Sequence, residues 1–415
     1  MAAPRLSVVV ASWGRPRSLA RCLTALGQMR STRFEVIVVA DDNGCAVARG
    51  LPMADSLVIL RQEVANISAA RNAGIAAAAG EGLGFIDDDA VPEPGWAEAL
   101  LSAFETASVD AVTGPVLGRN GVSLQWGRMA VDARGRDRVL DEGETPRAGE
   151  TLKLHGTNMA MRRQILSQTG GFDTGFGFYL DETDFARRLT DLGASIAYLP
   201  GAVVHHGFAA SVRRREDRVP LDLFDVGASS ALFLRKHAPD GMEMALVELE
   251  RAQRGRLLRL ARKRKLGAAE MRRLMESLAD GIAAGRQRPS HVPPVAPSGR
   301  SFAPFRVDLP PQMQRLDGWL HRAAPLRTEA AHLVAAGGPV TLLLLEPSPR
   351  KHRLAFTDGG WWEQCGGLFG PAHPSEARLQ IWRPTERRRY EWDRLSTLTG
   401  ENDAAFRLKA VTGLG

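Results

Sequence analysis

The chain is poor in cysteine: Cys22, Cys45 and Cys365 are the only three in 415 residues. Three scattered thiols supply neither a disulfide framework nor a zinc site, and they suit a reducing compartment. Long apolar runs are also missing. With no stretch of about 18 apolar residues, no transmembrane helix is expected. No apolar leader comes before the strand-like run that begins at Leu6, so a cytoplasmic location is expected. The first strand is not followed by Gly-x-Gly-x-x-Gly or by a Gly-Lys-Ser/Thr loop, which argues against dehydrogenases and P-loop enzymes. There is no internal repeat. Acidic residues are absent from Arg251–Lys265, a segment holding eight Lys or Arg.

What is present begins with strands that end on acids. Leu6–Ala11 (LSVVVA) and Phe34–Ala40 (FEVIVVA) read as buried strands, and Leu57–Leu60 as a third. Leu19, Cys22, Leu23, Leu26 and Met29 recur at helical spacing between the first two. Continuous β-branched runs alternating with helices indicate a parallel sheet. Asn66 or Ser68 can cap a helix that runs to Ala79. Trp96, Leu100, Leu101 and Phe104 mark a further helix, and Ala111–Val116 a further strand. The second strand stops on Asp41 and Asp42. A fourth, Leu83–Ile86, stops on Asp87, Asp88 and Asp89, followed by Pro92 and Pro94.

That triplet is the centre of the chain. Side chains alternate along an extended backbone, so Asp87 and Asp89 face the same way. Two carboxylates there repel each other and lose hydration, a cost that a divalent cation removes. An isolated acidic triplet is equally a helix cap or a surface turn, so its neighbours decide. In a parallel sheet the ends of the second and fourth strands lie on one edge, where open α/β sheets bind ligands. One acid there can accept hydrogen bonds from a base or ribose while the pair holds a metal on a diphosphate. This is a nucleotide-diphosphate site without a P-loop.

The motifs LSVVVASWGRPRSLARCLTAL, FEVIVVADD, ARNAGIAAAAGE, FIDDDAVPEPGW, GTNMAMRR, GGFD, YLDETDFARRL and VVHH occur in that order. On these the first 210 or so residues resemble glycosyltransferase family 2. The resemblance implies a GT-A nucleotide-diphospho-sugar transferase fold of the α/β class, with a Rossmann-like, mostly parallel sheet. It implies an inverting transfer from a nucleotide-diphosphate sugar to an acceptor hydroxyl in glycan or polysaccharide synthesis. Carried over by position, Asp41, with Asp42 as fallback, meets the nucleoside, and Arg71 faces the diphosphate. Asp87 and Asp88 join the donor site, and Gly156 and Asn158 line the donor sugar. Asp89 and Asp87 hold Mg²⁺ or Mn²⁺, completed by His205. The family's acceptor-side Glu-Asp is reversed here as Asp181-Glu182, so Glu182 is the first choice of base and Asp181 the second. Trp126 and Asp184 are placed at the acceptor. A sugar-1-phosphate nucleotidyltransferase, or a non-catalytic nucleotide-sugar module, would share the metal acids. The first should carry a Gly-rich, Arg-containing loop after the first strand, and the second should lack Asp181 and Glu182.

The expected organisation is a catalytic domain over 1–237, a basic helical segment over 238–285, a Pro- and Ser-rich linker over 286–304 and a small mixed domain over 305–415. Residues 118–149 read as a long polar loop, and Thr357–Gly370 as a Gly- and Trp-rich loop whose Trp361 and Trp362 either pack or stack on sugars. Gln380–Trp382 reads as a strand. The basic segment is either a solvated helix face or a peripheral contact with anionic lipid, the latter at the inner face of the plasma membrane. Nucleic acid is not an expected partner, because no aromatic interleaving or binding motif accompanies the charge. The acceptor class stays open among glycans, lipid-linked glycans and small molecules.

Overall fold

The structure, a computed structural model, describes residues 5–29, 31, 33–105, 108–207, 213–296, 298–305 and 313–399. The first half alternates strand and helix: β1 (Leu6–Ser12), α1 (Pro16–Leu26), β2 (Phe34–Ala40), α2 (Asp42–Arg49), β3 (Leu57–Arg61), α3 (Ile67–Ala77) and β4 (Gly82–Asp87). Then come β5 (Ala90–Pro92), α4 (Trp96–Glu105), β6 (Ala111–Thr113) and β7 (Val116–Leu117). Three short strands follow, β8 (Leu124–Trp126), β9 (Met129–Val131) and β10 (Asp137–Val139). The remainder of this half is β11 (Thr151–Leu152), β12 (Met159–Arg162), α5 (Arg163–Thr169), α6 (Asp181–Asp191), β13 (Ile196–Tyr198) and β14 (Val204–His206).

Seven of these strands form one sheet in the order β13-β6-β12-β4-β1-β2-β3. It is mostly parallel; β12 runs antiparallel to both β4 and β6. Alternation explains why the strands are apolar throughout. Val8 and Val10 of β1 and Val36 and Val38 of β2 enter one core with α1, α2 and α4. Val9, Ala11, Ile37 and Val39 enter the opposite core with α3, α5 and α6. Pro16 opens α1, where its missing N–H costs nothing. Asn66 caps α3 by accepting from the Ala69 amide at 2.9 Å.

Residues 118–149 are not a plain loop. β9 pairs with β10 and β11 in a three-stranded antiparallel sheet. Arg138 of that sheet is clamped by Glu144 and Glu150, the latter at 2.7 Å. Side-chain ion pairs hold strands of three residues that carry too little apolar period to be read from sequence.

The second half opens with three helices, α7 (Phe224–His237), α8 (Met242–Arg262) and α9 (Ala268–Gln287). α7 and α9 cross closely. A Cβ on Gly281 would lie 2.1 Å from the Phe224 carbonyl oxygen, and one on Gly285 would lie 2.2 Å from that of Ala228. Only glycine permits that approach. The Pro-rich segment after α9 lies against the first half. The Pro293 and His291 carbonyls accept from the Gly171 and Thr174 amides, both at 2.9 Å. Farther on, the Phe305 amide reaches the Phe34 carbonyl at 2.7 Å.

The last part contains β15 (Gln314–Trp319), α10 (Ala323–Ala335), β16 (Val340–Glu346), β17 (Arg353–Phe356), β18 (Trp362–Gly367) and α11 (Pro384–Thr399). Residues 306–312 and 400–415 of the expected mixed domain lie outside the described residues. The sheet order is β15-β16-β18-β17, with only β17 antiparallel. β18 replaces the expected Gly- and Trp-rich loop: Trp362 and Gln364 are buried in alternation, a period masked by the glycines around them. Gln380–Trp382 is not a strand; Ile381 is 95% exposed, so the segment has no face to bury. One face of this sheet closes on the first half. Leu354, Phe356 and Trp362 share a core with Ala25 of α1 and Val91 of β5.

Candidate active site

Asp87 ends β4, and Asp88 and Asp89 form the turn into β5, two strands along the edge from Asp41, which follows β2. Asp87, Asp89 and His206 form a corner that could hold a metal ion: each offers a ligand atom, all within 4.8 Å of one another. His206 Nε2 stands 3.3 Å from Asp89 Oδ1. His206, and not the expected His205, stands at this corner. β14 pairs with β5 so that His206 opposes Ala90, next to Asp89, and His205 opposes Val91. Neighbouring side chains on a strand point oppositely. His205 therefore turns away to Glu93, 2.7 Å from Nε2, and packs edge-on against Trp362 with centroids 4.7 Å apart. Burial pushes its imidazole down to about 3, which keeps it neutral.

Two arginines hold the acids. Arg15, just before α1, reaches Asp88 at 2.6 Å and Asp89 at 3.1 Å. Arg71 of α3 lies 3.5 Å from Asp87, forms an ion pair with Asp181 and donates to the Gly156 carbonyl at 3.0 Å. Arg71 thus joins the β4 edge to the start of α6. Gly156 serves that arginine: a Cβ there would lie 2.8 Å from its Nη2. Asp88 does not face a donor. It is fully buried and takes the Ser12 hydroxyl at 2.7 Å as well as Arg15. Burial pushes Asp88 up to about 7 against the pull of Arg15. Burial also raises Asp87, opposed by Arg71. Such acids are short of positive charge, and a divalent cation fits them. Two carboxylates and an imidazole accept Mg²⁺ and suit Mn²⁺ better.

The acids expected on the acceptor side stand at the first turn of α6. Tyr179 and Leu180 before it both adopt left-handed backbone, with φ of 73° and 64°. Strain of this kind in two successive non-glycine residues gathers at functional sites. Asp181 is buried against Arg71; burial pushes it up to about 8 despite that arginine, and Glu182 adds to the rise. Glu182 is only half-buried and accepts from the Thr183 hydroxyl at 3.2 Å.

Two other expected site residues serve the fold instead. Asp184 is fully buried, with Lys236 at 2.6 Å and Arg188 and His237 both at 2.9 Å, so it ties α6 to α7 and does not face an acceptor. Asn158 is fully buried and spends its amide on Trp96, Pro115 and Ala202, so it cannot line the sugar. Asp42 is exposed and pairs with Arg61 at 2.7 Å. Asp41 caps α2 through the Gly44 amide and also takes the Gly14 amide, both at 2.9 Å. With Trp13, Asp42, Asn43, Arg61, Gln62 and Glu63 it lines a cleft of about 320 Å³. Trp126 packs against His155 and His206, at 5.8 and 5.5 Å between centroids, and so walls the metal corner.

Sequence reasoning missed Ser12, Arg15 and His206. Arg15 sits in a turn whose single arginine carries no pattern. Arg214 was missed as well; burial lowers it, and the charge of Asp89 acts on it in the other direction.

The family profile described as "Glycosyltransferase like family 2" matches residues 4–218. The chain is 28% identical over 238 residues to a pre-mycofactocin glycosyltransferase of Mycobacterium tuberculosis, covering 55% of this chain and 48% of that one. It is 29% identical over 213 residues to the succinoglycan biosynthesis protein ExoM of Rhizobium meliloti, covering 48% and 66%. The chain therefore spans about half the length of the first of these relatives and just under two thirds of the second. Among solved structures, a mannosyltransferase from Pyrobaculum calidifontis in complex with GDP-Man and Mn²⁺ superposes with a TM-score of 0.42 at 16% identity, over 69% of this chain and 88% of that one. The profile match takes in both acidic strand ends, Arg71, the α6 acids and His206, and the chain belongs to glycosyltransferase family 2.

Proposed function

We propose that the protein is an inverting glycosyltransferase that moves a sugar from a nucleotide-diphosphate donor to an acceptor hydroxyl in glycan or polysaccharide synthesis. The observation that carries this reading is Arg71, which couples the metal-side Asp87 to Asp181, the residue beside Glu182. Donor-side and acceptor-side acids are thereby held in one site. The Asp41 cleft takes the nucleoside. Asp87, Asp89 and His206 would hold Mn²⁺ or Mg²⁺, which when bound offsets the charge gathering on the leaving diphosphate.

Glu182 is the base, because it is half-buried and can meet an incoming hydroxyl. It takes that proton as the acceptor oxygen bonds to the anomeric carbon from the face opposite the diphosphate. The anomeric C–O bond breaks, and its electron pair leaves with the nucleoside diphosphate. Asp181, buried on Arg71, positions the start of α6. Much of the rate comes from this fixed geometry.

A panel of nucleotide sugars incubated with Mn²⁺ or Mg²⁺, without acceptor, tests the reading. Slow metal-dependent hydrolysis of one donor is expected. Glu182→Gln should keep donor affinity and lose transfer by roughly 10²-fold or more, the scale of a lost general base. Release of pyrophosphate from a sugar-1-phosphate and a nucleoside triphosphate, with no donor hydrolysis, would contradict it.

A further inference from the structure

α8 has two faces of different character. Inward it buries Ala245, Leu246 and Leu257. Outward, Met244, Val247, Arg251, Arg254, Leu258 and Arg262 recur at intervals of three and four, which at 3.6 residues per turn sets them along one stripe. All six are exposed. Met244 is 61%, Val247 42% and Leu258 41% exposed. Single exposed aliphatic residues are ordinary on any protein surface. Three on one stripe, interleaved with three arginines, are a pattern. The stripe runs on into Lys263, Arg264 and Lys265, which are exposed as well. Of the acids near the start of the helix, Glu243 is engaged by Arg286 and Glu248 by Arg136, while Glu250 is exposed on the flank of the stripe, ahead of the acid-free segment.

We propose that this stripe of α8 docks on an anionic lipid bilayer, with Met244, Val247 and Leu258 entering the headgroup boundary and Arg251, Arg254 and Arg262 meeting lipid phosphates. The charge complements such a surface, since Arg251–Lys265 carries eight Lys or Arg and no acid. The aliphatic residues supply what charge alone lacks, an apolar face to bury beside the headgroups. Arginine suits the position because its stem can lie in the apolar zone while the guanidinium stays at the phosphates. A nucleic acid fits less well: the stripe has no aromatic ring on which a base could stack. No helix among the described residues is long and apolar enough to cross a membrane, so the contact is peripheral.

The placement matters for the site. Ala245, Glu248, Leu249 and Ala252, on the flank of α8, line a cavity of about 250 Å³ together with Tyr179 and Leu180. Those two residues lead directly into Asp181 and Glu182. A docked α8 therefore sets the acceptor side of the site at the bilayer, a consequence that rests on the transfer proposed above; the docking itself does not.

Sedimentation of the full chain with vesicles tests the docking without using activity. The arms are phosphatidylcholine alone and phosphatidylcholine mixed with phosphatidylglycerol, each at low and high salt. Partition is expected with the anionic vesicles at low salt, weakening with salt. Arg251→Gln with Arg254→Gln should lower it about 25-fold, from about 1 kcal/mol for each cation. Val247→Ser with Leu258→Ser, which leaves charge unchanged, should lower it by several-fold at either salt. All four residues are exposed, so thermal unfolding should match the wild type. Equal partition in all four arms, no response to either double variant, or capture by duplex DNA with no vesicle binding would each overturn the proposal.

Discussion

Replacing Asp184 with asparagine should destabilise the protein by about 2–3 kcal/mol at pH 7, with a pH dependence of definite sign. Burial alone would push this carboxylate up, but His237, Arg188 and Lys236 outweigh it and bring it down to about 2. Against an ordinary value near 3.9, the drop is nearly two units, and each unit is about 1.4 kcal/mol. The side chain is fully buried, so solvent screening does not reduce the figure much. The folded value is depressed, so the contribution is complete above the unfolded value and disappears as pH falls through the folded one. The window runs from about pH 4 down to about pH 2. The substitution leaves Lys236 with Asp173 at 2.6 Å, and Arg188 with the Thr169 and Gly171 carbonyls. The loss should therefore stay below the 3–5 kcal/mol of a fully orphaned buried charge. Urea denaturation of wild type and Asp184→Asn at pH 7 and pH 3 reads it. The difference should be near its full value at pH 7 and about half at pH 3. A loss below about 1 kcal/mol, or one equal at both pH values, would refute the assignment of Asp184 as a structural ion-pair centre.

Three further substitutions separate the roles. His206→Ala should raise the Mn²⁺ concentration for half-maximal donor hydrolysis roughly 10–100-fold. His205→Ala should leave it nearly unchanged and instead lower stability by about 1–3 kcal/mol, through loss of the buried hydrogen bond between His205 and Glu93; the reverse result would restore His205 as the ligand. Gly156→Ala should cut transfer about 10- to 100-fold by displacing Arg71, with nucleoside diphosphate affinity little altered, and unchanged rates would separate Arg71 from the reaction.

Much of the first half was legible because its longer strands write their own signal. LSVVVA and FEVIVVA are apolar on both faces, which only helices on both sides of a sheet can satisfy, and both cores are found. Asp87 and Asp89 were expected on one side from strand alternation; they do converge, but Asp87 ends β4 and Asp89 lies in the turn to β5, so the turn brings them together. The same rule could not choose between His205 and His206, because two adjacent histidines are equivalent until the pairing of β14 with β5 fixes their sides. Asp184 and Asn158 resemble site residues by type and position in their motifs. Their real partners, Lys236 and His237 for one and Trp96 for the other, lie more than 50 residues away in the chain. Distance in sequence also hid β18. Its partner β16 lies beyond a hairpin, and glycines interrupt its own alternation.

The account stands most directly on the Asp87, Asp89 and His206 corner as the seat of a cation that receives a nucleoside diphosphate. Calorimetric titration of the wild type and Asp89→Asn with a panel of nucleoside diphosphates, with Mn²⁺ and with chelator, measures this. The account predicts that one diphosphate binds the wild type at least about tenfold more tightly with Mn²⁺, and that Asp89→Asn abolishes the Mn²⁺ effect while its thermal unfolding stays cooperative. Binding of equal strength in Mn²⁺ and in chelator, or an Mn²⁺ effect that survives Asp89→Asn, would contradict it.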